Sequence, residues 1–269
     1  MNVKIDGVSY YVERWGQGFP LVVLHGFTGN AESWRAFQKY WQAHSQVIAI
    51  DLIGHGKTDC PDDVSKYTME AMADALERIF DELDIEKADV LGYSMGGRLA
   101  LTFALTYDTR VRTLILESAS PGLATEAERR KRREQDRKLA DFIVENGIEA
   151  FVDYWENIPL FASQKRLSAD VRLRIRKQRL ANSVRGLCNS LLGMGTGSQP
   201  SWWDELHRIE ACLVTGALDE KFCHIAREMQ KRLRSAKWVC VEDAGHAVHV
   251  EKPQIFAKIV SEFLKDVRA

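Results

Sequence analysis

Residues 89–101 read DVLGYSMGGRLAL, and within them Gly92-Tyr93-Ser94-Met95-Gly96 fits the pattern G-x-S-x-G. That pattern puts a serine on a sharp, strained turn from a strand into a helix. The flanks suit the setting: DVLGY is a short apolar run of strand length, and RLALTFAL carries helical spacing. Ser94 is therefore expected to stand at the end of a sheet strand as a nucleophile or general base, against the plainer reading of a structural turn serine. Arg98 follows four residues later, and residues four apart share a helix face. A permanent cation is thus expected to lean toward the serine's side.

The same alternation continues outward in both directions. Val3–Trp15 has a period of two, broken by Asp6-Gly7, a hairpin signal. PLVVLHGF (20–27) and QVIAIDLIGHG (46–56) are apolar runs ending in glycine-punctuated loops, as buried parallel strands do. A helix is expected over Tyr67–Leu83, and VRTLILES gives a sixth strand. From about Pro121 to about Pro200 the pattern is helical only, and ACLVTGALDE (211–220) restarts the strand rhythm, with a helix, the strand AKWVCVED and a last helix after it. The fold class is α/β: a mostly parallel, doubly wound sheet, with a helical cap (121–200) inserted after the sixth sheet strand and core segments 1–120 and 201–269 on either side.

A serine hydroxyl needs a base, and the base needs an orienting acid. On such a sheet the partners follow in the order Ser, Asp or Glu, His, each just after a late strand. Asp219 in GALDEKF and His246 in AGHAVH have that order and place. Asp243 and His249 are weaker rivals in the same region, and Asp219 could instead cap a helix beginning near Phe222. The oxyanion donors are expected to be the backbone N–H groups of Met95, next to the serine, and Phe27, in the HGF loop. His25 and His55 read as buried packing residues, and His207 and His224 as solvated. No H-E-x-x-H, P-loop or dinucleotide fingerprint is present, so no metal and no cofactor is expected.

Composition narrows the partners. The 269 residues are 45% hydrophobic and 28% charged with a formal net charge of −1, an ordinary soluble profile with no call for nucleic acid or membrane. The five cysteines are scattered without a C-x-x-C pair, several in apolar runs where a buried free thiol is expected, which suits a cytoplasmic protein. The N-terminus shows no signal-peptide pattern. Charge is uneven, however: residues 122–200 hold fifteen Lys and Arg against ten Asp and Glu, a net of +5. A cationic cap over a pocket favours anionic ligands, although EAERRKRREQDRK mixes signs as a solvated helix face does. Trp155, in VDYWENIPLF, reads by spacing as an anchor of the cap's core, and Tyr93 abuts the serine.

HGF, DLIGHG, GYSMGG, the late aspartate and the AGH loop, in this order, resemble the α/β-hydrolase fold over essentially the full chain. GYSMGGR, ES-x-S-PGL with E-x-x-R-x-x-R, W-x-x-x-PLFAS, R-x-x-N, G-x-x-D-x-KF and AGHAVH together resemble one subfamily, the 2-succinyl-6-hydroxy-2,4-cyclohexadiene-1-carboxylate synthases of menaquinone biosynthesis. The resemblance implies a lyase that eliminates pyruvate from an enolpyruvyl cyclohexene tricarboxylate. Ser94, activated by His246 and oriented by Asp219, would abstract a ring proton, and Phe27 and Met95 would face the developing oxyanion. It also implies that Arg98, Arg132 and Arg179 clamp the polycarboxylate substrate, with Tyr93 and Trp155 lining its pocket; Arg129, Arg130 and Arg133 crowd the helix of Arg132. The alternatives are an esterase or C–C bond hydrolase using the same triad, and a non-catalytic ligand receptor on this fold. Oligomeric state is not legible.

Overall fold

Asp6 (φ 46°) and Gly7 (φ 79°) carry the chain through the first turn with left-handed backbone. They join β1 (Asn2–Ile5) to β2 (Val8–Trp15) by a two-residue loop whose twist matches that of paired strands. The computed structural model describes residues 1–266. The other strands are β3 (Phe19–Leu24), β4 (Ser45–Ile50), β5 (Ala88–Tyr93), β6 (Val111–Glu117), β7 (Glu210–Gly216) and β8 (Ser235–Val241). The helices are α1 (Gln38–Trp41), α2 (Met69–Glu82), α3 (Met95–Thr106), α4 (Glu126–Trp155), α5 (Ala169–Leu180), α6 (Val184–Met194), α7 (Glu220–Gln230), α8 (Val248–Glu251) and α9 (Pro253–Asp266).

The eight strands lie in the order β1-β2-β4-β3-β5-β6-β7-β8. Pairing is antiparallel for β1–β2 and β2–β4 and parallel from β4 onward. A parallel sheet must be covered on both faces, which is why its strands read as continuous apolar runs. β3 shows this directly: Val22 and Leu24 join the core under α2 and α3, while Leu21 and Val23 join the opposite core with Trp34, Trp41 and Phe256. Chain order reverses at β3, which lies between β4 and β5. Crevices at the carboxyl ends of strands beside such a reversal are where open α/β sheets bind ligands.

Between β6 and β7 the chain forms α4, a 3-10 segment Pro159–Arg166, α5 and α6, with no sheet strand. α4 starts on a capping box in which Thr125 and Glu128 satisfy each other's backbone N–H, and it breaks at Gly147 (φ 78°). Its two arms and α6 enclose a separate apolar cluster, with Ile143, Phe151, Val152 and Leu187 buried and Phe27 and Trp155 packed at its edge. The segment thus carries an apolar core of its own and meets the rest of the chain through Phe27 and through Met194, which is buried in the core under α2 and α3. Among the described residues no helix is long and apolar enough to cross a membrane.

The cysteines differ in part from expectation. Cys188 and Cys212 are buried, but Cys223 is half-buried and Cys240 exposed. β8 is the edge strand, so the run KWVCVED is covered less fully than its composition suggests.

Candidate active site

Ser94 adopts φ 50° and ψ −107° between β5 and α3, outside the regions open to most L-residues. Two backbone bonds hold it there: its N–H donates to Glu117 O at 2.9 Å, and its own carbonyl accepts from Arg98 N at 2.9 Å. The loop after β3 approaches closely because residue 26 is glycine. A Cβ at Gly26 would fall 2.6 Å from the Tyr93 ring and 3.5 Å from the Ser94 Cβ. The loop and the elbow therefore share one small space.

His246 enters from the loop after β8, and Asp219 from the loop after β7. His246 Nε2 lies 3.0 Å from Ser94 Oγ, and His246 Nδ1 lies 2.7 Å from Asp219 Oδ2. With Nδ1–H donating to the carboxylate, Nε2 is left to accept the serine proton. Asp219 and His246 are both buried. Asp219 also caps α7, accepting Phe222 N–H on Oδ1 at 3.3 Å, so one carboxylate makes both contacts. Of the rivals, His249 stacks on Trp34 and gives its ring Nδ1 and backbone N–H to buried Glu117. Asp243 is exposed and pairs with Arg166 and Lys252.

Phe27 and Met95 line the same pocket as Ser94. Their backbone N–H groups have no backbone acceptor among the described residues, and Met95 is the first residue of α3, where N–H groups point outward unpaired. These are the requirements of an oxyanion hole.

The pocket holds about 360 Å³, within the usual range of small-molecule sites. Arg98 and Arg132 line it. Arg98 is held from behind, donating to Met194 O at 2.8 Å and Gln199 Oε1 at 2.9 Å. Burial, reinforced by the charge of Arg132, pushes its pKa down to about 9, which leaves it a cation at neutral pH. Arg132 donates to Asp136 at 2.8 Å; of its crowding neighbours, Arg129 and Arg133 are engaged by Glu126. Trp155 and Tyr93 also line the pocket. Trp155 stacks on Phe151 and meets Phe27 edge-on, while Tyr154 points away and is exposed. Three buried polar atoms of the lining, Trp155 Nε1, Ser118 Oγ and Ser190 Oγ, have no hydrogen-bond partner among the described residues. Unpaired buried donors are costly, so the pocket is suited to a polar guest.

Arg179 is placed differently from the expectation. It is buried, its guanidinium lies 4.8 Å from the Phe161 ring centroid, and it donates to Gln164. It lines a small cavity that shares Phe27, Tyr93 and Phe161 with the main pocket. The spacing R-x-x-N fixes its helix position but not what the PLFAS segment puts in front of it. His25 and His55 are buried histidines with backbone partners. The sequence reading missed Gln199, which holds Arg98, and Lys221, which lines the pocket beside Phe222. Lys221 stood in the motif G-x-x-D-x-KF, whose lysine was passed over in favour of the arginines.

The sequence matches the model of the alpha/beta hydrolase fold family over residues 20–253. It is 52% identical, over 99% of each chain, to a Bacillus subtilis (strain 168) protein provisionally named 2-succinyl-6-hydroxy-2,4-cyclohexadiene-1-carboxylate synthase. A protein of that name from Photorhabdus laumondii is 30% identical over 91% of this chain and 84% of its own. Among solved structures, MenH from S. aureus superposes with a TM-score of 0.92 at 34% identity, covering 97% of this chain and 99% of that one.

Proposed function

The chain belongs to the 2-succinyl-6-hydroxy-2,4-cyclohexadiene-1-carboxylate synthase family of the alpha/beta hydrolase fold, and on that premise we propose how its pocket eliminates pyruvate from 2-succinyl-5-enolpyruvyl-6-hydroxy-3-cyclohexene-1-carboxylate in menaquinone biosynthesis. The observation that carries the proposal is the convergence of Ser94–His246–Asp219 and several cations on one pocket. An esterase for neutral substrates gains nothing from cations beside its serine, whereas a tricarboxylate is recognised by them.

Ser94 Oγ, its proton drawn to His246 Nε2, removes the ring proton next to the succinyl ketone. The electron pair moves onto the ketone oxygen, which the N–H groups of Phe27 and Met95 receive as an oxyanion. Asp219 steadies the imidazolium that forms. As the enolate collapses, the pair moves through the ring double bond and the carbon–oxygen bond to the enolpyruvyl group breaks. The departing pyruvate enolate takes up one proton, which restores the charge balance with His246. Arg98 and Arg132 hold carboxylates throughout, and Trp155 and Tyr93 bound the ring. Segment 121–200 acts as the lid, and the reaction belongs to the cytoplasm, to which the five free cysteines are suited.

Pyruvate release from the purified enolpyruvyl tricarboxylate, followed by a coupled assay, tests this. Turnover that falls by about 10³-fold or more in Ser94→Ala supports the proposal. Absence of pyruvate together with brisk cleavage of a neutral nitrophenyl ester would overturn it.

A further inference from the structure

Lys221 is a cation in the wrong place for the helix that carries it. It is the second residue of α7, where the helix dipole and the unpaired N–H groups disfavour positive charge. Its ammonium lies 5.6 Å from the Phe222 ring centroid, but no hydrogen bond or ion pair compensates its charge among the described residues. The nearby Asp219 carboxylate is already shared between His246 and the backbone of Phe222. Although Lys221 as a whole is exposed, partial desolvation of its ammonium and the charge of Arg132 both lower its pKa, with Asp219 opposing them. A cation that breaks a local rule without an anionic partner in its own chain is expected where a ligand supplies that partner.

The position of Lys221 indicates where the ligand lies. It lines the main pocket with Arg98, Arg132 and His246. It also lines the adjoining surface groove with Leu160, Arg166 and His246, so it stands at the mouth where the two meet. The acidic side chain of the main pocket's lining, Glu128, is already engaged by Thr125. Three cations therefore line a space whose one lining carboxylate, among the described residues, is already paired.

We propose that Lys221 is a substrate-binding residue that holds one carboxylate of the tricarboxylate at the pocket mouth, making the third cationic contact with Arg98 and Arg132. The inference rests on the pyruvate-eliminating function proposed above. It names a side chain that acts in binding and not in proton transfer, because it has no part in the Ser94–His246–Asp219 contacts.

The test is equilibrium binding of the enolpyruvyl tricarboxylate to Ser94→Ala, by calorimetry, with and without Lys221→Met or Lys221→Arg. Methionine is expected to weaken binding at least tenfold and arginine less than threefold, with the methionine effect shrinking in high salt. In the otherwise unaltered enzyme the methionine variant is expected to raise KM more than it lowers kcat. Lys221 is exposed, so its variants are expected to melt with the parent, and a melting curve checks that. Binding by Lys221→Met within threefold of the parent would show the lysine to be merely solvated, and would overturn the inference while pyruvate release by the enzyme leaves its function standing. An enzyme that releases no pyruvate overturns both.

Discussion

Asp219 Oδ2 lies 2.7 Å from His246 Nδ1 while the other oxygen of the same carboxylate accepts the N–H of Phe222. One side chain thus orients the base and caps α7, and the two duties separate by substitution. Asp219→Asn keeps a good cap but no longer favours the Nδ1–H tautomer, so turnover is expected to fall roughly 10³- to 10⁴-fold with little change in melting temperature. Asp219→Ala loses the cap as well, at about 1 kcal/mol, or about 2 °C of melting temperature. Paired activity and melting measurements on the two variants check this.

Arg98 offers a second test. Arg98→Ala leaves Met194 O and Gln199 Oε1 without their donor and removes a cation from the pocket. The expected loss in kcat/KM is about 2–3 kcal/mol, or roughly 30- to 150-fold. Arg98→Lys is expected to fall between, since one ammonium cannot reproduce the guanidinium's fork of donors. Burial and the charge of Arg132 lower the pKa of Arg98, yet a guanidinium keeps its charge across the working pH range.

Acid stability is governed elsewhere. His25 Nε2 accepts Leu52 N–H at 3.0 Å while Nδ1 lies 2.8 Å from Gly26 O, so the ring must be neutral to keep both bonds. Burial lowers its pKa to about 4, and burial together with the nearby His25 lowers that of His55 to about 3. The unfolded chain takes up these protons near pH 6.5 and the folded chain refuses them. Their contribution is therefore complete above about pH 6.5 and lost as pH falls toward 4, on the order of 3 kcal/mol from His25. Urea unfolding midpoints between pH 7 and 4 are expected to drop accordingly. Proton NMR is expected to show two of the seven histidines not titrating above about pH 4.5.

Gly216 ends β7 directly beneath the loop of His246. A Cβ there would collide with the carbonyl oxygens of Gly245 and Ala244, which are backbone and cannot swing aside. Gly216→Ala is expected to shift His246 relative to Ser94 and to lower kcat tenfold or more with KM nearly unaltered, because sub-ångström misplacement of a base is costly. Gly147→Ala makes the useful control: its φ of +78° is strained for alanine, but no atom lies within 4 Å of the added carbon, so stability is expected to suffer and kcat is not.

How much of this was legible in the sequence depends on the reach of each contact. The elbow, the alternating strands and the order Ser94, Asp219, His246 are local patterns tied to element ends, and they could be read directly. Arg98 could be assigned to the serine's side of its helix. Its partners, Met194 and Gln199, are about a hundred residues away in a glycine-rich stretch with no periodic signal. Arg179 and Phe161 show the same limit, since helix spacing cannot tell which ring a folded insertion sets before a guanidinium. Lys221 was overlooked because a lysine near a helix start resembles surface charge until its neighbours are known.

The backbone at Ser94 has one further consequence. A φ of 50° with a ψ of −107° is a setting that costs an L-residue about 1–3 kcal/mol and glycine far less. Random substitution in a chain with no chemistry to perform would thus be rewarded with a sturdier protein each time that serine became glycine. Among descendants of this fold, disuse and thermal toughening should travel together at this position, and a serine that persists here records continuing employment.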